Sequence, residues 1–152
     1  ERGQAEAIAR NIRVMSTLKT PIIVVVVGEG GSGGALALGV GDCILMQEHA
    51  VFSVSAAEAC ASILWKDASR AREAADALKL TADDLLRFKV IDEIVPEPLG
   101  GAHRQPAEAA EILRKILADK LKTLRTLSME ELIARRYERF RSIGNEFLQE
   151  VT

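Results

Sequence analysis

Cysteine is scarce in this 152-residue chain, with only Cys43 and Cys60. Two cysteines exclude a disulfide framework and a complete zinc site, so no metal is expected in this chain. No apolar run is long enough to span a membrane, and no signal peptide opens the sequence. The setting these absences predict is reducing and intracellular. A net charge of −2 gives no overall reason to expect nucleic acid or an acidic membrane as partner. No Lys-Ser or Lys-Thr follows the glycine-rich stretch, which excludes a phosphate-binding P-loop. No Ser-His-Asp or Cys-His set stands out, and no internal repeat or low-complexity segment appears. What remains is 48% hydrophobic and 28% charged, the composition of a globular domain large enough to bury a core. The first residue, Glu1, already sits in a helical pattern, which predicts a fragment of a longer chain.

The chain is organised around residues 22–41. Six β-branched residues, Ile22 to Val27, read as a strand buried on both faces, as in a parallel sheet. Five of the next seven residues, Gly28 to Gly34, are glycine, and Ala35–Leu38 favour helix. The pattern is strand, glycine turn, helix. The first turn of such a helix has unpaired N–H groups and a dipole that favours negative charge. Three readings fit. Gly28-x-Gly30-x-x-Gly33, with Glu48 twenty residues on, matches a dinucleotide fingerprint and an NAD(P)-binding Rossmann oxidoreductase. Backbone N–H groups here also suit an oxyanion hole. The third reading is a tight turn that lets helix and strand pack closely.

Around this stretch the spacing predicts an amphipathic helix over 4–18. It places Ala5, Ile8, Ala9, Ile12 and Met15 inward and Arg2, Arg10 and Arg13 outward. Strands are predicted at Cys43–Met46, Val51–Val54 and Val90–Val95. Helices are predicted at Ala56–Lys66 and Ala68–Leu78, and a short one after Thr81-x-x-Asp84. Pro96 to His103 reads as a loop. Pro106 opens a long helix to about Leu124, its inner face formed by Ala109, Ala110, Ile112, Ile116 and Leu117. Ser128-x-x-Glu131 caps a last helix to about Ser142, whose Arg135, Arg136, Arg139 and Arg141 read as a solvated face or a partner-docking surface.

Several strings then point further: residues 28–42, Cys60–Lys66, Pro96–His103, Arg135–Arg139 and the opening Glu1–Ala9. Together they resemble, colinearly, the C-terminal half of the α subunits of the acetyl-CoA carboxylase carboxyltransferase. The resemblance implies an α/β, crotonase-like superhelix of ββα units over residues 1–104, with a helical extension over 105–152. It implies transfer of a carboxyl group from carboxybiotin, held on a biotin carboxyl carrier protein, to acetyl-CoA, giving malonyl-CoA for fatty acid synthesis. The implied partner is a zinc-ribbon-bearing β subunit in an α2β2 assembly, and the implied compartment is the cytoplasm or the plastid stroma. By the same resemblance Gly33 and Gly34 supply oxyanion N–H groups, while Gly30, Gly31 and Ser32 shape the biotin side. A non-catalytic scaffold with this fold stays open beside the Rossmann alternative.

Cys60 reads as a small buried hydrophobe, His103 as either a loop-pinning or an acid–base group, and His49 as a turn residue. The chain departs from the family pattern Ser-Pro-Glu at Ala56-Ala57-Glu58, which leaves the entry to that helix open.

Overall fold

The computed structural model describes residues 3–145. In chain order the elements are α1 (Gln4–Thr17), β1 (Ile23–Val26), β2 (Glu29–Gly31), α2 (Ser32–Leu38), β3 (Cys43–Gln47) and β4 (Val51–Ser53). They continue with α3 (Ala57–Trp65), a 3-10 turn (Ala68–Arg70), α4 (Ala71–Leu78), α5 (Ala82–Arg87), β5 (Glu93–Val95), α6 (Pro106–Leu124) and α7 (Met129–Ser142).

Two parallel sheets form. One has the order β1-β3-β5, and the other pairs β2 with β4. The register of the first sets Ile23 beside Cys43 and Leu45 beside Glu93. Period-two alternation then divides the side chains between two cores. Val24, Val26, Ile44, Met46 and Ile94 face Leu85 of α5, while Ile23, Val25, Cys43, Leu45 and Val95 face Ile112, Leu113, Ile116 and Leu117 of α6. Burial on both faces is complete in β3, where every residue is buried. In β1 it is not: Ile23, Val24 and Val25 are half-buried, because β1 pairs with β3 alone and forms an edge among the described strands, and Val27, just past its end, is 61% exposed.

The predicted caps form. Ser128 Oγ accepts from the Glu131 N–H, and Glu131 Oε2 accepts from the Ser128 N–H, a reciprocal capping box at α7. At α5, Thr81 accepts from the Asp84 N–H and donates its hydroxyl to the Asp84 carboxylate, so the return bond to the backbone is missing. Pro106 occupies the first turn of α6. On α6 the inner face runs through Leu113 rather than Ala110, which is exposed. In α1, Ile8, Ile12 and Met15 are half-buried, Ala5 and Ala9 exposed, and Arg10 and Arg13 exposed; Arg2 lies outside the described residues. The last strand starts at Glu93 because Val90 and Ile91 close the turn after α5, their N–H groups donating to the Leu85 carbonyl.

The arginines of α7 correct the reading of a solvated or partner-docking face. Arg135 and Arg141 are exposed, but Arg136 and Arg139 turn inward, with Arg136 1% exposed. Each meets an aspartate at a strand entrance. Asp42 accepts from the Ile22 N–H at 2.7 Å, and Asp92 accepts from the Ile44 N–H at 2.6 Å. In both cases the aspartate's own N–H donates back to the same residue's carbonyl, Asp42 to Ile22 and Asp92 to Ile44. Two rungs of the sheet are therefore stitched alike. α7 reads both, Arg136 on Asp42 and Arg139 on Asp92, with Arg139 also donating to the Val90 carbonyl.

Arg136 is fully used. Its Nε and Nη2 donate to the two Asp42 oxygens, each at 2.8 Å. Nη2 also reaches the Thr20 carbonyl, and Nη1 reaches the Met15 and Leu18 carbonyls. Those last two carbonyls stand at the C-terminal end of α1, where Met15 otherwise accepts only a long 3.4 Å bond from the Leu18 N–H and a cation is also favoured by the helix dipole.

Candidate functional site

The glycine stretch leaves β1, forms β2, and turns into α2. Sequence spacing predicts one continuous turn over Gly28–Gly34. Instead Glu29–Gly31 pair with Val51–Ser53, because β4 offers a parallel partner at that point. Gly30 lies opposite Phe52, and a Cβ there would stand 2.9 Å from the ring atom Cδ2, so packing alone demands glycine. Gly31 is extended and has open space around it.

Ser32 begins α2 with φ 56°, in the left-handed region. For a non-glycine residue this costs about 1–2 kcal/mol, and such strain concentrates where a turn is shaped for function. Gly30-x-Ser32-x-Gly34 on a strand–turn–helix is also the spacing of a sharp strand-to-helix elbow, a signal the sequence carried and spacing arguments passed over.

Gly33 and Gly34 fall in the first turn of α2. The N-cap, Gly31, has no side chain to occupy their N–H groups. The two glycines differ in surroundings. A Cβ on Gly33 would meet Ile8 Cδ1 of α1 at 3.0 Å, whereas a Cβ on Gly34 would meet nothing within 4 Å. Beside Ser32 and Gly33 runs a mostly apolar groove of about 410 Å³, walled by Leu36, Phe52, Val54 and Leu78, with Ser53 at its polar margin. The Ser53 hydroxyl donates to the Ser55 carbonyl at 3.0 Å. The arrangement presents backbone donors at the edge of an apolar wall, which suits a developing oxyanion on a largely apolar ligand.

The dinucleotide geometry does not form. Of its glycines, Gly28 precedes β2 and Gly30 lies within it, and α2 has only seven residues, short for a crossover helix. Glu48 is engaged elsewhere, its Oε2 accepting from the Glu97 N–H at 3.2 Å.

Glu97, and not His103, pins the loop over 96–103. Its carboxylate accepts from the Ala102 N–H at 2.8 Å and the His49 N–H at 3.1 Å. Those bonds, the Ala102 one first, hold its carboxyl below the usual range. His49 and His103 are exposed. Cys60 is half-buried rather than buried, and Cys43 is the buried thiol, pushed up to about 11 chiefly by burial. Among the described residues no group of three or more His, Cys, Asp and Glu side chains is placed to hold a metal ion, and no helix is long and apolar enough to cross a membrane.

At the helix entry where the family's proline is replaced, Ala56 is extended (φ −62°, ψ 146°) and Ala57 is the first helical residue, with no side-chain cap.

Residues 1–144 match the family described as acetyl co-enzyme A carboxylase carboxyltransferase-like. The acetyl-coenzyme A carboxylase carboxyl transferase subunit alpha of Carboxydothermus hydrogenoformans is 54% identical over 149 residues, covering 98% of this chain. The chain spans 46% of that relative's length. Among solved structures, a Pseudomonas malonate decarboxylase hetero-tetramer in complex with coenzyme A aligns with TM-score 0.57 at 16% identity, over 97% of this chain and 60% of that one. An enoyl-CoA hydratase/isomerase family member aligns with TM-score 0.53 at 16% identity, over 93% and 55%. These likenesses, together with the parallel sheets, show an α/β fold of the crotonase type. By the match over residues 1–144 and the identity to its relatives, the chain belongs to the acetyl co-enzyme A carboxylase carboxyltransferase-like family.

Proposed function

We propose that this chain forms part of the α subunit of an acetyl-CoA carboxylase carboxyltransferase, and that the protein bearing it moves a carboxyl group from carboxybiotin to acetyl-CoA. The observation that carries the reading is the family match along residues 1–144, with relatives of that name at more than half identity. Carboxybiotin enters as a co-substrate on a biotin carboxyl carrier protein. A β subunit completes the site by binding acetyl-CoA. The setting is the bacterial cytoplasm or the plastid stroma.

The chemistry asks for stabilised oxyanions. Negative charge develops on the ureido oxygen of biotin as it gives up its carboxyl group, and on the enolate oxygen of acetyl-CoA. In this reading the Gly33 and Gly34 N–H groups donate to such an oxygen. The open space at Gly34 leaves room for it, and the apolar side chains of Leu36, Phe52 and Val54 line the groove beside Gly33. A donor of this kind is worth about 3–4 kcal/mol to the transition state in a dry site. Gly31 and Ser32 shape the approach, and Gly30 serves through its fit against Phe52. A protein nucleophile is not required, since the ureido nitrogen freed by loss of the carboxyl group is itself basic enough to take the methyl proton of acetyl-CoA.

The test is reconstitution. Full-length protein bearing this sequence is mixed with a cognate β subunit, malonyl-CoA and biocytin, and acetyl-CoA formation is followed. Turnover that needs both subunits is the expected result. A verified complex without turnover refutes the catalytic reading and leaves the scaffold reading. Calorimetric binding of NAD would favour an oxidoreductase instead.

A further inference from the structure

α1 touches the glycine turn from outside, through Ile8 over Gly33. None of its residues is buried. It packs on α2 and on α7. At the α2 side, Ile8 lies over Gly33, its Cδ1 3.0 Å from the place a Cβ would occupy. At the α7 side, Arg136 takes the Met15 and Leu18 carbonyls at the C-terminal end of α1 at 2.7 and 2.9 Å, while holding Asp42 with its fork. A helix is stiff over the two turns between Ile8 and Met15.

We propose that Arg136 is a positioning residue for the glycine turn. By gripping the end of α1 from α7, it fixes α1 against α2 and so sets where the Gly33 and Gly34 N–H groups stand. The proposal rests on reading those N–H groups as oxyanion donors.

Three observations carry it. All the guanidinium donors of Arg136 are taken within the protein, so it is not reserved for a ligand. Asp42 and Arg136 are 3% and 1% exposed, and a buried ion pair is no more stabilising than apolar residues of the same volume. What the pair supplies, and an apolar pair does not, is a directional tie among α7, α1 and the entrance of β1. The tie needs the planar fork, because lysine brings the charge but cannot meet a carboxylate and three carbonyls from two sides.

The test uses the full-length protein in complex with its β subunit, in four forms: parent, Arg136→Lys, Ile8→Ala and Glu138→Ala, Glu138 being an exposed residue of α7. Steady-state kinetics give kcat and KM per folded molecule. Hydrogen exchange with mass spectrometry follows peptides covering 29–38 and 43–47. Arg136→Lys is expected to lower kcat roughly tenfold to a hundredfold, with KM for malonyl-CoA unchanged, as a small displacement of reacting groups does. Exchange should rise in 29–38 and stay as in the parent in 43–47. Ile8→Ala, which leaves the ion pair intact, should act in the same direction, and Glu138→Ala should match the parent. If Arg136→Lys does not fold, Ile8→Ala decides the matter by the same two readouts. An unchanged kcat, a change in KM alone, or exchange that rises equally in both peptides overturns the proposal. Gly34→Val is assayed alongside: if it keeps full activity the donor reading fails, whereas faster exchange confined to 29–38 still reports whether Arg136 positions the turn.

Discussion

Replacing Arg136 by methionine keeps an unbranched apolar stem, ends it short of the guanidinium, and removes all its donors. The Asp42 carboxylate, 3% exposed, loses its cation and keeps only the Ile22 N–H. The carbonyls of Met15, Leu18 and Thr20 lose a donor. Leu18 and Thr20 are exposed residues and their bonds to Arg136 only part-buried, so these carbonyls add less to the loss than the carboxylate does. The large contribution is the uncompensated carboxylate, for which breaking a buried pair costs about 3–5 kcal/mol. The expected result is a fall of that size in urea unfolding of the full-length protein, with the thermal midpoint lower by at least roughly 5 °C. Adding Asp42→Leu to Arg136→Met removes the stranded charge, so the double variant should be less destabilised than the two single changes summed. The coupling belongs at the upper end of the usual range of about 0.5–3 kcal/mol. A loss for Arg136→Met within about 0.5 kcal/mol, the range of an ordinary surface change, would refute the claim that the pair is buried and tied as described.

Three further outcomes are expected. Ala57→Pro should stabilise by about 0.4–1 kcal/mol in thermal or urea unfolding, because Ala57 is the first helical residue and Ala56 already has the extended backbone that a following proline requires; a destabilised variant would mean the helix entry differs. Lys66→Gly should stabilise by about 1 kcal/mol, since Lys66 ends α3 in the left-handed region with φ 59°; no change in the urea midpoint would count against that backbone. Cys43 should resist alkylation in the native protein at pH 8, since its thiol is pushed up to about 11 by burial. A thiol whose folded value lies above its unfolded one adds stability that is complete below about pH 9 and lost as pH rises to about 11, worth at most about 2–3 kcal/mol. Rapid labelling of Cys43 by iodoacetamide would contradict its burial.

Much of the layout was legible in the sequence because each signal was local. The run Ile22–Val27 announced a strand, Thr81 and Ser128 announced helix starts, and Pro106 sat where a first-turn proline belongs. β2 was hidden because Glu29, Gly30 and Gly31 have no strand propensity of their own, and only the neighbouring β4 makes them pair. The α7 arginines were misplaced for a different reason. Leu132, Arg136 and Arg139 lie on one helical face at i, i+4 and i+7, but hydropathy assigns arginine to water, and the aspartates that draw them in are far away in the chain. A signal was present: an aspartate stands directly before an apolar strand in Gly41-Asp42-Cys43 and shortly before one in Ile91-Asp92-Glu93. Of the candidate site, the residues Gly30 to Gly34 could be named from spacing and resemblance. Their differences could not, because whether a glycine faces a phenyl ring, a neighbouring helix or open space depends on tertiary packing.

The central claim, that the α2 turn supplies backbone donors to a reacting oxygen, is tested most directly at Gly34, where an added Cβ would meet nothing outside its own helix within 4 Å. Gly34→Val in the full-length protein, assayed with its β subunit for acetyl-CoA formation from malonyl-CoA and biocytin, should unfold at nearly the parent's midpoint. The valine keeps its backbone N–H but fills the space the oxygen needs in front of it, so kcat/KM should fall by roughly a hundredfold to a thousandfold, the loss typical when one oxyanion contact is not made. A folded Gly34→Val enzyme with parental kcat/KM would contradict the account.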